Sequence, residues 1–305
     1  MSEVRNSINR RQFLAGAAAL ASTSSLPVKG EKRMTGPKKS VMYTMLPASL
    51  SIEEKMQMAH DVGFAGVETP PIFDKSEIAN MRSAAEKAGI DIHSVIYGGW
   101  DPPLSSPDPA AAVQSLQNAR AAIQSAHDLG AEDILLVPAI VDASTRYAEA
   151  YQRSHDAIRK LIPLAESLKI SLCLEEVWNN FLLSPIEFAA YLDSFHSPWV
   201  HSYFDVGNVV IFGWPQDWIR TLGHRIKKVH LKDYKGGPGL FGGADGHWAN
   251  IGEGSIDWQE TRKAFAEINF NGYMNTELAG GDEKYLRDLS VRIDRFLAGE
   301  KPLPG

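Results

Sequence analysis

Between residues 41 and 297, short aliphatic runs alternate with amphipathic helical patterns eight times over, and few folds accommodate that rhythm. The runs fall at 41–46, 64–68, 90–97, 133–138, 171–176, 200–206, 227–232 and 273–278. Most are β-branched or aliphatic throughout, as expected of strands covered on both faces. Helical patterns at 51–62, 75–88, 109–129, 148–168, 184–194, 215–222, 257–268 and 282–297 separate them. Their ends carry start and stop signals: Ser51 before Glu53 and Glu54, Ser184 before Pro185, and Gly89, Gly130 and Gly223 after the last turn. Eight strand–helix units in about 265 residues predict an α/β chain folded as a (β/α)8 barrel, a single domain. A doubly wound open sheet is the alternative. It normally carries a glycine-rich phosphate loop after an early strand, and none follows Leu46 or Glu68.

In such a barrel, chemistry sits at the C-terminal strand ends. The fifth run ends Leu174-Glu175-Glu176, the sixth Phe204-Asp205, the seventh Val229-His230 and the eighth Thr276-Glu277. Four adjacent strands thereby offer Glu175, Asp205, His230 and Glu277 to one mouth. Three carboxylates and one imidazole form an oxygen-rich donor set suited to Mn²⁺, Mg²⁺ or Co²⁺, with Zn²⁺ also compatible. Each residue has a structural reading. Glu175 can end a strand in an ion pair, Asp205 can cap the turn Val206-Gly207-Asn208, His230 can be a satisfied core histidine, and Glu277 can pair with Lys232 or Lys228. Glu176, by alternation, faces the helices. Taken together, carboxylates this close repel one another unless a cation neutralises them, and that favours the metal. Around them, His93 and Glu68 at neighbouring strand ends, Trp100, Trp178 and Lys232 are candidates for substrate contact. The glycine-rich loop over residues 234–254 has the composition of a lid.

The motifs Leu174-Glu175-Glu176-Val177-Trp178-Asn179, Phe204-Asp205-Val206-Gly207-Asn208, Val229-His230-Leu231-Lys232-Asp233, Ile251-Gly252-Glu253-Gly254-Ser255-Ile256-Asp257 and Thr276-Glu277 make the chain similar to the xylose isomerase-like TIM barrel superfamily. This superfamily holds sugar isomerases and epimerases together with the AP endonuclease family. The resemblance implies that Glu175, Asp205, His230 and Glu277 are metal ligands. It also implies that Glu175 and Glu277 are the catalytic acid/base pair, moving a proton beside a sugar carbonyl through an enediolate. The chain departs from tagatose- and psicose-type epimerases where Asn208 replaces a histidine, Gly236 an arginine and Phe181 a glutamate. The metal ligands are kept and the substrate contacts differ. Asn208 and His247 complete the substrate-facing candidates. Three other readings remain open on these residues. One is an epimerase or lyase acting on 3-keto-sugars at the same site. The second is an AP-endonuclease-like metal phosphodiesterase using Asp245-Gly246-His247. The third is a barrel that binds sugar without turnover.

The N-terminus has a different character. Arg10-Arg11-Gln12-Phe13-Leu14 precedes an apolar run ending at Ala21, which resembles a twin-arginine signal. The expected organisation is a signal over 1–25, a linker over 26–40 and the barrel over 41–300. The resemblance implies passage through the twin-arginine export machinery to the periplasm or beyond. The apolar run is about half the roughly 20 residues a membrane span needs, so no stable anchor is expected. The formal charge of the 305 residues is −6, and removing residues 1–21 takes away a net +2, leaving −8. Such a chain offers no basic field for nucleic acid and favours small-molecule chemistry, and the superfamily resemblance implies that the small molecule is a sugar. Homo-oligomerisation is compatible with the sequence. The lone Cys173 excludes an internal disulfide.

Overall fold

Strands covered on both faces close on themselves, because closure leaves no unpaired edge. The computed structural model describes residues 36–236 and 246–303. The expected signal, most of the expected linker, Asp245 and the centre of the glycine-rich loop lie outside the described residues. The barrel strands are β1 (Lys38–Met42), β2 (Gly66–Thr69), β3 (Asp91–Gly98), β4 (Asp133–Leu136), β5 (Ser171–Glu175), β6 (Val200–Asp205), β7 (Ile226–Leu231) and β10 (Tyr273–Thr276). All pair in parallel with their neighbours, and β10 closes the ring between β7 and β1. Between β7 and β10 the chain inserts a short antiparallel ladder of β8 (Asp233–Lys235) and β9 (His247–Ala249).

The helices are α1 (Ile52–Asp61), α2 (Lys75–Ala88), α3 (Pro109–Leu129), α4 (Tyr147–Leu168), α5 (Pro185–Asp193), α6 (Pro215–Leu222), α7 (Trp258–Glu267) and α8 (Glu283–Leu297). The start signals act as expected. Ser51 Oγ accepts from the Glu54 N–H while the Glu54 carboxylate accepts from the Ser51 N–H. Gly89 and Gly130 close α2 and α3 in the left-handed region. One boundary differs from the sequence reading. The first strand lies at Lys38–Met42, so the supposed linker residues Lys38 to Ser40 belong to the barrel, and Tyr43–Met45 turn into a 3-10 helix. The reason is amphipathic: Lys39 carries its ammonium out to Ser290 Oγ (2.7 Å) and Asp294 (2.6 Å), leaving its backbone free for the ladder.

The main core lies between strands and helices, while the barrel interior is partly polar. Leu135, Cys173 and Tyr203 form an apolar layer there. Beside it Lys228 lies 3.2 Å from Asp133 and 3.1 Å from Glu132, so Lys228 does not serve Glu277. Cys173 is buried, and burial pushes its thiol pKa well up, which makes it unreactive.

One buried carboxylate ties the mouth together. Asp233 accepts five hydrogen bonds, from the N–H groups of Tyr234, Gly252, Gly254 and Ile256 and from the Trp258 indole (2.8 to 3.3 Å). That is why the motifs around Lys232-Asp233 and Gly252 to Asp257 occur together: the first folds the second. Gly254 is obligatory, since a Cβ there would lie 2.1 Å from Asp233 Oδ1. Asp233→Ala strands all five donors and is expected to cost about 2–4 kcal/mol in denaturant unfolding. An unchanged midpoint would mean that water replaces the carboxylate.

Candidate metal centre

The ends of β5, β6, β7 and β10 bring Glu175, Asp205, His230 and Glu277 together, each offering one donor atom within 4.8 Å of the others. Two ligands on opposite sides of an ion at about 2.0–2.3 Å lie up to roughly 4.6 Å apart, so this spread is the size of one coordination sphere. The backbone explains the convergence. Asp205 pairs in register with His230, and Glu277 continues the β10 ladder by donating its N–H to Leu231 O (3.2 Å).

Each donor is aimed by its surroundings. Asp205 Oδ1 accepts from the N–H groups of Gly207 (2.7 Å) and Asn208 (2.8 Å), which turns Oδ2 into the site. Capping a turn and facing a metal are therefore one arrangement for this residue. His230 Nδ1 faces Glu175 Oε1 at 3.0 Å, Glu277 Oε2 at 3.4 Å and Asp205 Oδ2 at 3.7 Å. Its other nitrogen, Nε2, lies 2.9 Å from Glu68 Oε2, which also accepts from the Asn275 amide at 2.8 Å. Nδ1 is thus the nitrogen available to an ion. Glu68 fixes the ring, as carboxylates behind metal-bound histidines do.

The electrostatics show how much negative charge is confined here. Burial pushes the Glu175 carboxyl up to about 7, although the hydrogen bond with His230 pulls the other way. Burial also acts to raise Glu277, but the charges of His230 and Lys232 override it and hold that group down to about 2. For His230, burial opposes protonation, and the Glu277 and Glu68 carboxylates outweigh it, so its pKa lies well above the ordinary value. Lys232 lies 2.9 Å from Asp205 Oδ2 and bonds to Glu277. A buried group of carboxylates that leans on an imidazole and an ammonium for positive charge is one that a divalent ion fits, with His230 giving up any Nδ1 proton to the solvent on binding.

The site opens into a cavity of about 430 Å³. Glu175, Glu277, Lys232, Asn208 and Trp178 all line it. Asn208 is largely committed, since its amide donates to Glu176 O at 2.9 Å. Glu176 itself is buried and accepts from the Asp205 N–H (2.8 Å), a structural role that supports the sixth strand end.

Three expected substrate contacts lie elsewhere. β3 runs on to Gly98, so His93 occupies its first half, its ring stacked on Tyr273 at 4.1 Å, far down the strand from the mouth. Glu68 is fully buried beneath His230 and neither lines the cavity nor caps the proline turn. His247 is exposed on β9 opposite Lys235, and its neighbour Trp248 faces the cavity instead. Trp248 was hidden because a three-residue strand is too short to show its alternation. Glu68 had one signal: a ligand histidine calls for a carboxylate behind it. Glu68→Gln is accordingly expected to weaken metal affinity about ten- to a hundredfold in a chelator-competition titration. Unchanged affinity would show that the carboxylate does not orient the ring.

Comparison with known proteins places the barrel in a family. The model of the xylose isomerase-like TIM barrel family matches residues 56–293. The L-ribulose-5-phosphate 3-epimerase UlaE of Escherichia coli strain K12 is 28% identical over 244 residues, covering 75% of this chain and 81% of that protein. Among solved structures, a D-tagatose 3-epimerase-like protein superposes with a TM-score of 0.72 at 20% identity, covering 86% of this chain and 97% of that one. D-psicose 3-epimerase, solved in the presence of D-fructose, gives 0.70 at 20% identity, with 86% and 99% covered.

Proposed function

This chain belongs to the xylose isomerase-like TIM barrel family, and from that premise we propose that it is a divalent-metal-dependent sugar epimerase. The observation that carries the reading is a double role: Glu175 and Glu277 belong to the four-residue donor group and also line the cavity where a substrate would lie. The likeness to a ulose-phosphate 3-epimerase supports epimerisation over aldose–ketose isomerisation. The phosphate in that relative's name is not carried over.

A divalent ion bound by Glu175, Asp205, His230 Nδ1 and Glu277 would supply Lewis-acid stabilisation of the oxygen charge that develops beside the sugar carbonyl. The chain's own residues do the rest. One of Glu175 and Glu277 takes the proton from the carbon next to the carbonyl, and the other delivers a proton to the opposite face. His230, clamped from behind by Glu68, and Asp205, clamped by two backbone N–H groups, keep the pair in place. The arginine pair at the N-terminus adds to the proposal that this chemistry is carried out after export.

The test is metal content together with solvent exchange. Protein stripped by a chelator and reloaded with Mn²⁺, Co²⁺ or Zn²⁺ is incubated with free and glycosylated ketoses in D₂O. Deuterium is expected to enter at the carbon beside the carbonyl, as read by NMR, only in the loaded protein. Loaded protein that exchanges no ketose would overturn the reading.

A further inference from the structure

Three indoles stand at the mouth of the barrel and stay open to solvent: Trp100 is 49% exposed, Trp178 44% and Trp248 43%. All three line the cavity that Glu175 and Glu277 enter. Exposed apolar surface of this kind beside convergent polar groups marks a binding wall. Two of the rings are built in firmly. Trp178 Nε1 donates to Asn208 O at 3.0 Å, and its ring stacks on Trp248 at 4.8 Å with planes 25° apart. Tyr234 packs edge-on against both, and the Lys232 ammonium lies 4.6 Å over the Trp248 ring. Gly207 makes the room, since a Cβ there would lie 2.6 Å from Lys232 Cγ and 3.2 Å from the Trp248 ring. A wall fixed before any ligand arrives costs little ordering on binding.

The charge of the cavity points the same way. Among the described residues lining it, the cation is Lys232, and its charge is committed to Asp205 and Glu277. The other ionised groups there are carboxylates. A phosphate on the distal end of a sugar would meet no free cation among these residues. A neutral ring suits the wall, because its C–H face carries positive edge charge toward the negative face of an indole.

We propose that the cavity has a second subsite, formed by Trp178 and Trp248 with Trp100 beside them, that binds an uncharged sugar ring. The substrate is then a glycosylated ketose, with its carbonyl unit at Glu175 and Glu277 and its second ring on the indoles. The inference rests on the sugar-epimerase reading for the chemistry at the carbonyl unit, but the binding preference stands without it.

Isomaltulose, D-fructose and D-fructose 6-phosphate make the test, since the first and third carry a ring and a phosphate at the same oxygen. Lactulose adds a second linkage. Dissociation constants are measured calorimetrically on the metal-loaded full chain, with exchange in D₂O followed in parallel. At least one disaccharide is expected to bind about tenfold more tightly than fructose, with fructose 6-phosphate no tighter than fructose. Trp178→Ala and Trp248→Ala are expected to remove most of that ratio at unchanged metal content, and Trp248→Phe to keep it. The subsite is overturned if neither disaccharide binds more tightly than fructose, or if the phosphate ester binds best. Preferential disaccharide binding without exchange would instead overturn the epimerase reading and leave the subsite standing.

Discussion

Glu175→Gln and Glu277→Gln are each expected to slow proton exchange beside the sugar carbonyl by about 10²- to 10⁴-fold, the usual contribution of a positioned acid or base. Glutamine keeps the size of the side chain and one oxygen that can face an ion, so the substitution separates holding from proton transfer. The two variants should differ in metal affinity. Glu175 sits 3.0 Å from His230 Nδ1 and is buried, whereas Glu277 reaches further into the open part of the site. Losing the Glu175 charge therefore also disturbs the imidazole, and its variant is expected to lose more metal at equal chelator concentration. The measurement is exchange per bound ion, with metal content determined on the same sample. Wild-type exchange in a fully loaded Gln variant would remove that residue from the proton-transfer pair. Exchange lost in proportion to metal, and no further, would reduce it to a ligand.

The parts of this site that were legible in the sequence share one property: they are set by the backbone. Glu175, Asp205, His230 and Glu277 each end an aliphatic run, and in a closed parallel barrel a strand end has only one place to go. Alternation likewise sets Glu175 apart from Glu176, and Glu176 stays outside the donor group, accepting from the Asp205 N–H instead. What was not legible depends on contacts across the barrel. His93 reads as a strand end although it lies inside the run 90–97, and β3 indeed carries on past it to Gly98. Glu68 does end a strand, but it turns inward to His230, 162 residues away in the chain. No local pattern encodes such a pair. The role of Asp233 was hidden for the opposite reason, since its five donors come mostly from backbone N–H groups that no side-chain motif announces.

Lys232 is where charge, stability and metal binding meet. Its ammonium is 2.9 Å from Asp205 and bonded to Glu277, with 11% of the side chain exposed. Burial acts to lower its pKa, and the Asp205 and Glu277 charges raise it above the ordinary value, so it is charged throughout the physiological range. Lys232→Met keeps the stem that packs over Gly207 and removes the charge. Without metal, the carboxylates of Glu175, Asp205, Glu277 and Glu68 then share one imidazole, and breaking a buried pair in this way is expected to cost about 3–5 kcal/mol. With metal, the ion supplies the missing charge, and most of that loss should be recovered. The rise in Tm on adding Mn²⁺ is therefore expected to be larger in the variant than in the wild type. Linkage sets the sign for the ion itself: if the ammonium and the metal neutralise the same carboxylates, each weakens the binding of the other, and removing the ammonium tightens the metal. Thermal scans with and without Mn²⁺, paired with a metal titration, measure both sides of this cycle. An equal drop in Tm in both states would show that the ammonium and the metal are independent. Weaker metal binding in Lys232→Met would show that the ammonium holds the carboxylates in the shape the ion needs.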